Sequence, residues 1–231
     1  MKRFSIFLLF LIVGCALNAQ DDYRNYVLSR TMLNGTGTSY LDNITYYDGL
    51  GRPFQTVQKV VSGDKSLNKN LVTLQEYDAA GREWNSWLPT FAGSSDYLAP
   101  ASIKSSAPGN YDNDSRPYSQ PVYEASPLNR LTAQYGPGVA WYNAGRSVKT
   151  EYLLNTNASP LKCIKYGVNS TGGLTGNSTT FYTSGELSVV KTTDEDLNVS
   201  YSFTDKQGHT VLTRQMNNSE EHDTYYIYND K

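Results

Sequence analysis

Tyr47-Asp48-Gly49-Leu50-Gly51-Arg52 returns thirty residues later as Tyr77-Asp78-Ala79-Ala80-Gly81-Arg82, with each fixed residue at the same spacing. Asp-x-x-Gly is a turn signal with a mechanism. Aspartate at the first place of a type I turn accepts hydrogen bonds from the turn amides, and glycine further on takes a positive φ without steric cost. A type I turn followed by a left-handed residue closes a three-residue hairpin loop with a G1 bulge. In that register Asp48 faces Arg52 across the hairpin and Asp78 faces Arg82. Tyr46 shares a face with Phe54, while Tyr47 takes the other face with Pro53. A lone hairpin is marginal in water, so such units persist by stacking on their neighbours. A looser copy stands at Phe203-Thr204-Asp205-Lys206-Gln207-Gly208-His209, and another begins at Tyr228-Asn229-Asp230-Lys231. At Tyr123-Glu124-Ala125-Ser126-Pro127-Leu128-Asn129-Arg130 two residues are inserted.

Outward from these turns the chain reads as short runs rich in Val, Thr, Tyr and Ile, bounded by Gly, Asn, Asp or Pro. The runs fall at 26–32, 41–47, 71–77, 148–154, 161–168, 179–183, 187–192, 199–203, 210–215 and 224–228. Val199-Ser200-Tyr201-Ser202-Phe203 alternates apolar and polar, the mark of a strand with one buried face. The expected fold is all-β: stacked antiparallel hairpins forming a curved sheet. One stretch differs. Residues 89–121 hold five of the nine prolines with many serines and glycines, and are expected to form a long irregular loop, a suitable place for partner contact. The chain then divides into a leader at 1–19, a first β-region at 20–88 with both motif copies, the loop at 89–121, and a second β-region at 122–231.

The leader is an address. Lys2 and Arg3 precede an apolar run from Phe4 to Val13, which is too short to span a bilayer and fits a secretory signal peptide. Two exits are readable: cleavage after Leu17-Asn18-Ala19, or a lipobox-like Ile12-Val13-Gly14-Cys15 with lipid on Cys15. Either way Cys163 is left as the single thiol of the mature chain, and the alternation around it reads as a buried strand position. An exported or cell-surface location follows, with membrane contact only through a lipid on Cys15.

Composition excludes several functions. The formal charge of −2 and pI near 5.7 argue against nucleic-acid binding through bulk charge. Two Cys and two His are too few for a zinc site of the usual kind. His209 sits where the motif carries Arg, a solvated hairpin position, and His222 lies in a polar Glu-Glu-His-Asp turn, expected as a solvated loop. Asp194-x-Asp196-x-Asn198 matches the first places of a calcium loop, but Val199 stands where the bend needs Gly, so a polar β-turn is expected. No acid/base or nucleophile set is legible, so no enzymatic activity, metal or cofactor is expected. With 19 Tyr against 7 Phe and 3 Trp, aromatic packing between hairpins is the expected use of the rings. Trp84, Trp87, Trp141 and Tyr142 are the alternative, a sugar-stacking surface.

The motif resembles the YD repeat of RHS-type proteins, most closely at Tyr47–Arg52 and Tyr77–Arg82. The wider pattern, best carried by residues 25–87, is similar to the N-terminal region of long RHS-repeat core proteins of Gram-negative bacteria. The resemblance implies a spiralling sheet that winds into a hollow shell, often around a toxic C-terminal domain. It makes this chain a truncated opening segment ending in mid-repeat, with downstream repeats as its partners and structure as its role. The rival expectation is an adhesin or glycan-binding β-module that meets cell-surface glycans. The final strand, expected at 224–231, offers an edge for pairing.

Overall fold

The computed structural model describes residues 24–59, 69–93 and 96–228; the leader with Cys15, and Asn229-Asp230-Lys231, lie outside them. The strands are β1 (Asn25–Met32), β2 (Tyr40–Tyr47), β3 (Pro53–Gln58), β4 (Leu71–Tyr77), β5 (Glu83–Phe91), β6 (Tyr118–Tyr123), β7 (Leu131–Tyr135), β8 (Val148–Leu154), β9 (Gly167–Val168), β10 (Leu174–Thr175), β11 (Ser188–Thr193), β12 (Val199–Thr204), β13 (Thr210–Asn217) and β14 (Glu220–Tyr225). Two short helices join them, α1 (Pro100–Ser106) and α2 (Val139–Asn143). Twelve strands form one antiparallel sheet in chain order from β1 to β14, with β9 and β10 set aside as a separate pair. The protein is all-β, built of stacked hairpins.

One face of the first half is apolar because its strands alternate. Ile44 and Tyr46 on β2, Val57 on β3, and Val72 and Leu74 on β4 are buried together. What covers them is the stretch expected to be irregular. β5 runs on to Phe91, and β6 re-enters the sheet at Tyr118. Between them α1 starts at Pro100, a residue suited to a first helical turn, and presents Ile103 to the core. A 3₁₀ turn follows at Ala107–Asn110. Proline and serine content therefore marked a cover with its own short helices rather than a loop without structure. Gln55 secures it: its Nε2 donates to the Leu98 carbonyl at 2.6 Å, and its Oε1 accepts from the Leu98 amide at 3.1 Å. The buried amide thereby pairs with the cover as a neighbouring strand would.

The second half repeats the plan. Val189, Tyr201, Phe203, Val211 and Leu212 form a core closed by residues 155–187, which contribute Cys163 and Leu187. Runs 161–168 and 179–183, expected as strands, are mostly irregular here. They make only β9 and one isolated bridge, Ile164 with Phe181, because they cross over the sheet instead of joining it. Asn155 fixes the crossing by accepting from the Leu187 amide at 2.8 Å and donating to the Thr183 carbonyl at 2.9 Å. The last described strand begins at Glu220 rather than 224, since Asn218 takes a positive φ and closes a tight turn.

Candidate functional site

The hairpin turns carry the chemistry of this chain. In the first, the Asp48 amide donates to the Arg52 carbonyl at 2.9 Å and the Gly51 amide to the Asp48 carbonyl at 3.0 Å, with Gly51 at φ 78°. The second is the same, at 2.8 and 2.9 Å, with Gly81 at φ 81°. This is the type I turn with G1 bulge. The third expected turn follows suit: the Asp205 amide donates to the His209 carbonyl at 2.9 Å, and Gly208 has φ 89°.

Each aspartate works twice. Asp48 Oδ1 accepts from the Leu50 and Arg52 amides, both at 2.9 Å, and Oδ2 accepts from Arg52 Nε at 2.8 Å. Asp78 repeats these bonds with Ala80 and Arg82. The Arg52 amide, then its guanidinium, hold the Asp48 carboxyl below its ordinary range, and Arg82 does the same to Asp78. In the inserted copy Glu124 reaches across to Arg130 and, with Ser126, is held down to about 2. For Asp205, desolvation pushes upward, but the His209 and Gln207 amides prevail and the carboxyl lies low.

Sequence reasoning missed two turns of this type. The Asp194 amide donates to the Asn198 carbonyl at 3.0 Å, and Asp194 Oδ1 accepts from the Asp196 and Asn198 amides. It was legible only as a polar turn because Leu197, at φ 70°, stands where the motif has Gly. Asn169 builds another, with Gly172 at φ 86°. Asp followed four places later by a polar residue was the surviving signal.

The hairpins are also tied to each other. Arg52 leaves its own turn to lie over the Tyr77 ring, 4.2 Å from the centroid, and donates to the Gly81 carbonyl at 3.1 Å. Tyr77 answers by donating its hydroxyl to the Pro53 carbonyl at 2.7 Å. Arg82 lies 4.5 Å over Tyr123 and donates to Asn129 Oδ1 at 2.9 Å. Arg130 lies 4.4 Å over Tyr152, whose hydroxyl donates to the Leu131 carbonyl at 3.1 Å. Finally His209 stacks on Tyr228 at 4.6 Å, and the Tyr228 hydroxyl donates to the Thr210 carbonyl at 3.0 Å. The motif's arginine therefore serves its own aspartate and the next unit's tyrosine. These rungs run along one end of the sheet. A Cβ on Gly81 would come 3.0 Å from Arg52 Nη1, so this glycine serves the rung as well as the turn.

The remaining candidates sit apart. Cys163 is buried and its thiol is pushed up to about 12, which keeps it protonated. His222 is exposed as expected but lies on strand β14 opposite Gln215, not in a loop, because the tight turn falls earlier at Asn218. Trp87 donates to Glu76 and packs on Tyr118, with centroids 4.7 Å apart, whereas Trp84, Trp141 and Tyr142 are more exposed. Among the described residues no group of three or more His, Cys, Asp or Glu is placed to hold a metal ion.

Fold and turns together define a class: an antiparallel hairpin sheet whose repeated acidic turns are cross-linked by arginine and tyrosine. Residues 20–154 match the domain of unknown function DUF6443, and the chain belongs to that family. None of the curated proteins matches it.

Proposed function

We propose that the chain is an exported, non-enzymatic structural segment, the N-terminal part of an RHS/YD-repeat shell or cell-surface protein. The rungs between successive hairpins carry this reading. A network that ties the Asp48, Asp78 and Glu124 turns in series suits a sheet grown by repetition, in which units are stabilised by their neighbours. Downstream repeats are the partners, and a signal peptide with cleavage after Ala19, or a lipid on Cys15, is the route out of the cytoplasm. Hydrogen exchange tests the scaffold. Arg82→Gln should speed amide exchange in its own turn, 78–82, and equally in the next, 124–130. If only its own turn responds, the hairpins are independent and the scaffold reading fails. Export is tested separately by fractionation: deletion of residues 2–19 should trap the chain inside the cell.

The alternative of an adhesin or glycan-binding module draws on the exposure of Trp84, Trp141 and Tyr142. A glycan array on which Trp141→Ala loses binding without losing fold would favour it.

A further inference from the structure

A cleft of about 490 Å³ opens beside the last rung, within the ~300–1,000 Å³ range of small-ligand sites. Three segments wall it. Tyr166 and Tyr182 come from the 155–187 crossing, Gln207 and His209 from the Asp205 turn, and Tyr226 and Tyr228 from the chain after β14. No tryptophan lines it. Four tyrosines meeting at one opening, contributed by segments far apart in sequence, are an unusual concentration of ring area.

The charges at this opening are already matched within the protein. Asp205 accepts from the Gln207 amide at 2.9 Å and the His209 amide at 2.8 Å, and faces His209 Nδ1 at 3.3 Å. Lys165, which lies 5.0 Å over the Tyr182 ring, is paired with Glu186 at 2.9 Å. Among the residues that line the cleft, no charge is left without a partner. His209, Lys165 and Tyr225 each engage one of the other rings, which leaves the Tyr226 ring uncovered, together with uncharged donors and acceptors. Among the described residues, the hydroxyls of Tyr166, Tyr182 and Tyr226 and the side-chain amide of Gln207 make no hydrogen bonds. A ligand that suits this mixture is neutral, with an apolar C–H face to lie on a ring and hydroxyls around its edge. We propose that this cleft binds a neutral saccharide through the Tyr226 face and the Gln207 amide. The proposal is independent of the scaffold reading, because it concerns one opening and not the contacts between hairpins.

The test uses the full chain and saturation-transfer NMR with maltose, cellobiose and N,N′-diacetylchitobiose, with choline and inorganic phosphate as charged controls. At least one disaccharide should receive saturation and the charged probes should not. Tyr226→Ala should weaken that binding about tenfold, the size of a lost aromatic contact, while Tyr226→Phe keeps most of it. Trp84→Ala and Trp141→Ala should leave it unchanged. Nitration by tetranitromethane gives a second readout on the unaltered protein. The bound sugar should slow modification of Tyr226 and Tyr228 and leave the exposed Tyr26 as before. Silence from all three disaccharides, binding that survives Tyr226→Ala, or nitration indifferent to sugar would each overturn the proposal.

Discussion

The two covers of the sheet differ in where they leave it. The first departs from β5 at the end opposite the Asp48, Asp78 and Glu124 turns, so the rungs at Arg52, Arg82 and Arg130 follow one another unbroken. The second departs from β8 at the rung end, where a further turn would otherwise stand. Beyond it the series resumes with His209 in place of arginine. Their anchors share one element and differ in another. A buried amide side chain imitates backbone in each, Gln55 in the first and Asn155 in the second. The ion pair of the first, Lys104 with Glu76 at 2.8 Å, is partly exposed, whereas in the second Arg214 is buried, grips Asp223 through two bonds of 2.7 Å and donates to the Pro160 carbonyl at 2.7 Å. The position of the cover decides whether the side-chain series is interrupted.

The comparison breaks most readily at the cores. Phe203→Ala should cost about 3–5 kcal/mol and Ile103→Ala about 2–5 kcal/mol. Urea denaturation followed by hydrogen exchange will show whether each loss stays in its own half. If Ile103→Ala loosens residues 188–217 as much as 40–77, the two halves are a single cooperative unit and their covers are not independent. Gln55→Leu should cost about 1–3 kcal/mol, because the half-buried Leu98 amide and carbonyl lose their partner. Exchange at the Leu98 amide reports it directly.

A smaller effect separates two turns of equal geometry. Gly81→Ala and Gly208→Ala each force a side chain into the left-handed region, at about 1–2 kcal/mol. Only Gly81 also has an arginine nitrogen within 4 Å of the added carbon, so it should show the larger fall in Tm. Equal falls would remove the rung from the role assigned to Gly81. Acid gives the mildest test. The Asp48, Asp78, Asp194 and Glu124 carboxyls are lower in the fold than in an unfolded chain. Their contribution is present above about pH 4 and is lost as pH falls through their folded values, reaching about 2 for Glu124. A thermal midpoint flat between pH 4 and 2 would contradict these bonds.

Much of the sheet was legible because its strands are short β-favouring runs bounded by turn residues: runs 26–32, 41–47, 71–77, 148–154 and 199–203 fall on β1, β2, β4, β8 and β12. The turn geometry was legible for a different reason, since Asp and Gly at a fixed distance prescribe it locally. The covers were not. Burial of Ile103 is decided by Val57 and Val72, residues that no local period connects to it. The Tyr166–Tyr228 cleft escaped for the same reason, as its walls are assembled by topology. Nor could the motif reveal that its tyrosine and its arginine serve different neighbours, because both fit one hairpin on paper.

The shared arginine has a consequence for how such a chain can lengthen. A unit spliced between two others brings one ring for the cation upstream and one cation for the ring downstream. Every interior junction stays matched whatever the number of units. An array made this way can grow or shrink by whole hairpins over evolutionary time without redesigning any surviving seam.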